Sequence, residues 1–164
     1  MIIRTLALAA GLMTGLFASQ FPEFSQQYVQ RLGGAVDALQ EVVEDFDASA
    51  KASGLSRHAA LKEMHGTGFL ESRRADMIST FARYERLRAD LDALQQAGPF
   101  IRASLAPRFR DNEVARATFD AFRPALPLTF EGISFALLGL VLGAALVWAA
   151  LRLLLWPVRR RGPA

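Results

Sequence analysis

The chain has 164 residues, of which 52% are hydrophobic and 21% charged, a formal net charge of +3 and no cysteine. That length suits one domain of roughly 100–150 residues, and not a domain with two membrane spans and a catalytic lobe besides. The charged fraction excludes a disordered polar chain, and the lack of cysteine excludes a disulfide scaffold, a thiolate metal centre and cysteine catalysis.

The excess positive charge sits at the ends. Residues 22–131 carry all 16 Asp and Glu and only 14 of the 19 Lys and Arg. The remaining basic residues, Arg4, Arg152, Arg159, Arg160 and Arg161, flank two apolar ends where no acid occurs. Such a distribution belongs to membrane flanks and argues against a nucleic-acid-binding face.

Residues 1–21 form the first predicted span. The stretch Thr5 to Ala18 is uncharged, and about twenty helical residues at ~1.5 Å each cross a hydrocarbon core of about 30 Å. A cleaved leader wants small residues at the last and third-last positions before the cut. Ala18 supplies one, but Leu16 is too large for the other, which favours an uncleaved anchor. Ala7, Gly11, Gly15 and Ser19 recur every fourth residue, a stripe that lets a second helix approach closely. Small residues are also common in spans for no such reason.

Residues 22–131 read as a helical extramembrane domain. Tyr28, Leu32, Ala35, Leu39, Val42 and Phe46 alternate spacings of four and three, a heptad seam rather than a strand alternation. Gly33-Gly34 weakens this arm and leaves room for a kink or a close approach. Gly54 is a stop, Ser56 an N-cap for a short helix through His65, and Gly66-Thr67-Gly68 a break. A second seam follows at Met77, Phe81, Tyr84, Leu87, Leu91 and Leu94, ended by Gly98-Pro99. The first arm is acidic and the second carries Arg83, Arg86 and Arg88. Antiparallel pairing of the arms would bring Asp37 near Arg86 and Glu41 near Arg83, setting register more than stability.

Beyond Pro99, Asp111 is placed to cap a helix carrying Val114, Thr118, Phe119 and Phe122 across the base of the arms. Arg102, Arg108, Arg110, Arg116 and Arg123 could meet lipid phosphates, although a solvated face balanced by local acids such as Asp111 and Glu113 is the simpler reading. Pro124-Ala125-Leu126-Pro127 forms a stiff connector, and Glu131 a helix cap or an arginine partner.

Residues 132–156 form the second predicted span, with an uncharged run from Ile133 to Leu151, a small-residue pair at Gly139 and Gly143, and Trp148 and Trp156 near one interface. The stripes could pack the two spans together or receive a partner protein. The triple arginine of the basic tail, residues 157–164, should stay cytoplasmic. Two crossings return Arg4 to the same side and put the middle domain in the periplasm of a bacterial inner membrane.

Reactive patterns are scarce. His58 and His65 are seven residues apart, about 10 Å along one helix, too far to share a metal, and no HExxH spacing accompanies them. No nucleophile elbow, phosphate loop or haem motif occurs. No catalytic, cofactor-binding or metal residue is therefore assigned.

The opening Arg4-Thr5-Leu6-Ala7 with its Ala/Gly stripe, Phe21-Pro22-Glu23-Phe24-Ser25-Gln26-Gln27-Tyr28, Arg31-Leu32-Gly33-Gly34-Ala35, and Phe122 to Thr129 followed by Glu131-Gly132 together resemble a family of short two-pass proteobacterial membrane proteins defined by a domain of unknown function. The resemblance covers nearly the whole chain. It implies a bacterial membrane location and brings no activity, cofactor or catalytic residue.

The expected fold is all-α, with two transmembrane helices flanking a long antiparallel, coiled-coil-like hairpin. The expected role is a non-enzymatic accessory or scaffold subunit on a larger membrane complex, in contact with lipid and not with nucleic acid. The alternatives are a sensor or a homo-oligomeric assembly. A sensor would need a separate cytoplasmic partner, because few residues follow the second span. A pore is disfavoured by the lack of a polar stripe in either span.

Overall fold

The computed structural model describes residues 2–126 and 128–160, with residues 155–160 given by backbone alone. Pro127, Arg161 and the side chains of Trp156, Arg159 and Arg160 thus lie outside the described residues. Among those described, every regular element is helical: α1 (Ile2–Ser19), α2 (Phe21–Ala52), α3 (Arg57–Glu63), α4 (Gly68–Gln95), α5 (Pro99–Ser104), a 3₁₀ turn (Ala106–Arg108), α6 (Asn112–Asp120) and α7 (Phe130–Arg160). The stretch Ile2–Ala52 and the helix Phe130–Leu154 each contain a window long and apolar enough to cross a membrane.

The chain divides into two compact units. The first joins α1 and the chain to Gln26, Pro99–Ala103 of α5, and the chain from Phe122 through α7; the second holds Gln27–Gly98 and Ser104–Ala121. Residues 22–131 therefore do not form one body: their two ends and most of α5 belong with the apolar helices.

In the first unit, α1 and α2 are separated at Gln20, two residues before Pro22. Proline cannot donate to the helical ladder and restricts the residue before it, which accounts for the interruption. The Gln20 carboxamide then clasps the connector: Nε2 donates to the Ala125 carbonyl and Oε1 accepts from the Ala125 N–H, both at 3.1 Å. The start of α7 is capped by Thr129, whose hydroxyl accepts from Gly132 N–H at 3.1 Å. Capping by Thr129, rather than by Glu131, follows from the short reach of a threonine hydroxyl at the residue preceding the helix.

The second unit is built on α2 and α4. Tyr28, Val29, Leu32, Val36 and Val43 share a core with Tyr84, Leu87, Leu91, Leu94 and, from α6, Val114. Each of the fully buried leucines Leu32, Leu87 and Leu94 contributes about 2 kcal/mol by leaving water. Met77 is buried as well, while Leu39 and Phe81 pack on the core from its edge. Phe46 meets Phe81 edge-on with ring centroids 5.2 Å apart. Val42 does not share this seam: it is 43% exposed, whereas Val43 is 5% exposed. A straight α-helix drifts about 20° per heptad from a strict seven-residue repeat, so after two heptads Val42 has turned outward and its neighbour has turned in. Gly33 and Gly34 make no close approach, since a Cβ on either would meet nothing within 4 Å, and α2 continues through both.

The turns between α2 and α4 follow local chemistry. Gly54 adopts φ +71°, and the hydrogen bonds Gly54 N–H to Lys51 O and Leu55 N–H to Ala50 O, both 2.9 Å, complete a glycine-terminated helix end. Ser56 caps α3 through Ala59 N–H, and Thr67 caps α4 through Leu70 N–H, each at 3.3 Å. Between them Gly66 takes φ +96°, which a side-chain-bearing residue rarely adopts.

Candidate functional site

The helix pair α1–α7 is the most closely fitted surface of the first unit. Ala7, Gly11, Gly15 and Ser19 are the buried residues of α1. A Cβ on Gly11 would stand 2.7 Å from the Leu140 carbonyl oxygen, and one on Gly15 would stand 2.6 Å from that of Ala136. From the other side, a Cβ on Gly139 would stand 2.7 Å from the Thr14 carbonyl oxygen and from the Ala18 Cβ. Advancing four residues along α1 retreats four along α7, so the two helices run in opposite directions. The small-residue stripes thus face each other, and of the partners the sequence left open it is the companion helix that fills them.

Thr14 completes the interface and was not singled out in the sequence. Its side chain occupies the space that a Cβ on Gly143 would need, and its hydroxyl donates to the Ala10 carbonyl at 2.5 Å, so this hydroxyl is satisfied within its own helix. Its position three residues after Gly11 was the available signal. The outward faces are apolar: Leu8, Leu12, Leu16, Leu137, Val141 and Leu146 are all exposed. At one end the Arg152 guanidinium lies 4.2 Å from the centre of the Trp148 ring, a cation–π contact. Arg4 is exposed at the start of α1.

The second unit carries a buried polar cluster. Asp90 is 2% exposed; its Oδ1 accepts from Arg108 Nη1 at 2.8 Å and its Oδ2 from Arg110 Nε at 3.3 Å. The acid that balances these two arginines is therefore Asp90 on α4, not Asp111 or Glu113. The signal in the sequence was an acid on the buried stripe Leu87, Leu91, Leu94. Arg83 pairs with Asp111 at 3.2 Å and Glu113 at 2.6 Å instead of reaching Glu41. The reason is proximity of α6, whose N-cap is Asp111: its carboxylate accepts from Val114 N–H at 3.1 Å and presents charge directly to Arg83. Burial pushes the Asp111 carboxyl up, but the Val114 N–H and Arg83 outweigh it and leave it below the ordinary carboxylate range.

Tyr28 is wholly buried, its ring 4.6 Å from that of Phe109. Its hydroxyl lies near the backbone of Asp111 but makes no hydrogen bond of normal geometry. Burial, with the charges of Asp111 and Asp90 nearby, raises its pKa above the usual tyrosine value. On α2, Asp47 receives two hydrogen bonds from Arg57, at 2.7 and 2.5 Å, and these hold its carboxyl low. The Arg57 guanidinium also sits 4.6 Å from the centre of the Phe81 ring.

Of the remaining expectations, Arg102 faces neither lipid phosphate nor water: it is buried and donates to Gln26 Oε1 at 2.8 Å. Phe119 is 74% exposed and Phe122 lies beyond the end of α6, its ring 5.7 Å from that of Phe24. The capped helix is simply too short to carry both phenylalanines onto one face. Among the described residues, no three His, Asp or Glu side chains come together as a metal site. His58 lies on α3 and His65 after its end, both exposed.

These features define an all-helical protein in which two apolar helices interlock through glycine and a separate helical unit holds a charged cluster in its core. The chain belongs to the family described as protein of unknown function (DUF2937), which it matches over residues 2–160. No curated protein and no solved structure matches it.

Proposed function

We propose that this protein is a non-enzymatic accessory or scaffold subunit of a bacterial inner membrane, crossing it twice through α1 and α7. Both termini then lie in the cytoplasm, as the arginines at the chain ends favour, and the second unit lies in the periplasm. There α2 and α4 act as the arms of an antiparallel, coiled-coil-like hairpin. The contacts of Phe46 with Phe81 and of the Tyr84 hydroxyl with Gln40, the latter at 3.5 Å, support that pairing.

The observation that carries the reading is the glycine interlock of α1 with α7. Because the small-residue faces are occupied by each other, the flanks that remain for lipid and for a partner complex are the outward apolar sides of both helices, together with the hairpin. Mild detergent extraction of the tagged protein, followed by native mass measurement and identification of what accompanies it, tests the proposal. A stoichiometric larger complex is the expected result. A homo-oligomer alone would overturn the accessory role and favour self-assembly.

A further inference from the structure

The apolar surface of the first unit does not end with its two long helices. Phe100 and Ile101 of α5, Leu126 of the connector, Leu128 after it, and Phe130 at the start of α7 are 49%, 59%, 81%, 81% and 76% exposed. Contiguous exposure of large apolar side chains on this scale marks an interaction surface. Stacked rings tie α5 to the head of α7. Phe100 lies parallel to Phe135 with centroids 5.3 Å apart and edge-on to Phe130 at 6.4 Å, and Phe135 in turn meets Phe21 at 5.4 Å. The clasp between Gln20 and Ala125 holds the connector level with the end of α1.

The depth of this layer follows from the length of α7. Arg152, held over Trp148, is the kind of anchor that sits at one membrane interface. A hydrocarbon core of about 30 Å takes about twenty helical residues at ~1.5 Å each, so counting back from Arg152 brings the opposite boundary close to Gly132. That is the level at which Phe130, Phe135 and the α5 rings stand.

Resting on the reading of α1 and α7 as spans, we infer that α5 and the connector are an interfacial anchor: Phe100, Ile101, Leu126, Leu128 and Phe130 insert into the outer headgroup–acyl boundary of the bilayer. The occupant of this patch is lipid. Phe130 shares a helical face with the exposed Ile133 and Leu137 of α7, three and seven residues on, and most of α5 lies in the same compact unit as both apolar helices. Aromatic side chains are favoured at this depth because their rings suit the boundary between water and hydrocarbon.

The chain has no cysteine, so single cysteines can be introduced without background in the full-length protein. Ile101→Cys, Leu126→Cys, Leu142→Cys and Lys51→Cys would each carry an environment-sensitive fluorophore after reconstitution into phosphatidylethanolamine–phosphatidylglycerol vesicles. Nitroxide lipids labelled either near the headgroup or near the acyl-chain end would serve as quenchers. The expected result is stronger quenching of the Ile101 and Leu126 probes by the shallow nitroxide, stronger quenching of Leu142 by the deep one, and no quenching of Lys51. If Leu142 is quenched while Ile101 and Leu126 match Lys51, the interfacial anchor is wrong and the spans stand. If Leu142 also escapes quenching, the spans and the anchor fall together.

Discussion

Gly15 of α1 lies so close to α7 that a Cβ added to it would stand 2.6 Å from the carbonyl oxygen of Ala136. That oxygen belongs to the backbone and cannot swing aside as a side chain could. Gly15→Val should therefore force the helices apart. Overpacking of this kind costs about 1–3 kcal/mol, and the close backbone approach that holds helices together in lipid is lost with it. Thermal unfolding in detergent should show a lowered midpoint. An unchanged midpoint would mean that α1 and α7 do not meet at this face.

The opposite outcome is expected at Gly33. It lies within α2, with open space around a would-be Cβ, so Gly33→Ala adds helix propensity without a clash. Replacing glycine by alanine in a helix interior gains about 1 kcal/mol. Slower hydrogen exchange of the surrounding α2 amides would report it; faster exchange would reveal a contact at that site.

Asp90 and its arginines should respond unequally to truncation. Arg108 and Arg110 are partly exposed while Asp90 is buried, so after Asp90→Ala both guanidiniums can turn to water, and the loss is about 2 kcal/mol of charge-assisted hydrogen bonding. Removing both arginines strands a buried carboxylate, which costs about 3–5 kcal/mol. Urea unfolding followed through exchange of the α4 amides should rank the double Arg108→Ala, Arg110→Ala variant as the less stable. The reverse order would show that the cluster is not the buried charge pair described.

Acid should weaken the contact between α4 and α6. The Asp111 carboxyl is lowered in the folded chain, so the stability it contributes is complete above the unfolded aspartate value of about 3.9 and is lost as pH falls from there through the lowered folded value. Asp111→Asn keeps a good N-cap but loses the ion pair with Arg83. This variant should be less stable than the wild type at neutral pH and converge with it in acid. Parallel pH profiles would exclude a role for the charge.

Alkali reports on Tyr28 with the opposite sign. Its folded pKa is raised, so the stability that favours the neutral phenol is present below the unfolded value of about 10 and is lost as pH rises through the folded value. Tyr28→Phe removes a buried hydroxyl that has no hydrogen-bond partner. The variant should equal or exceed the wild type by up to about 1 kcal/mol at neutral pH and lose less stability in alkali. A clear loss at neutral pH would show that the hydroxyl does find a partner.

The all-helical character, the two apolar segments, the glycine stripes and the caps at Ser56 and Asp111 were legible in the residues. Each depends on neighbours within a few positions: a hydrophobic period, a side-chain oxygen three residues before an N–H, or a glycine where φ turns positive. Tertiary structure decided what those faces meet. The stripe of Gly11 and Gly15 suits any helix, and only the geometry of the first unit set Ala136, Gly139 and Leu140 of α7 against it and Thr14 against Gly143. Val43 displaced Val42 because a core selects one fixed direction while a heptad count slowly rotates away from it. Arg83 turned to Asp111, and Arg108 and Arg110 to Asp90, because charges pair with whatever carboxylate packing brings within reach. Sequence separation carries no information about that distance.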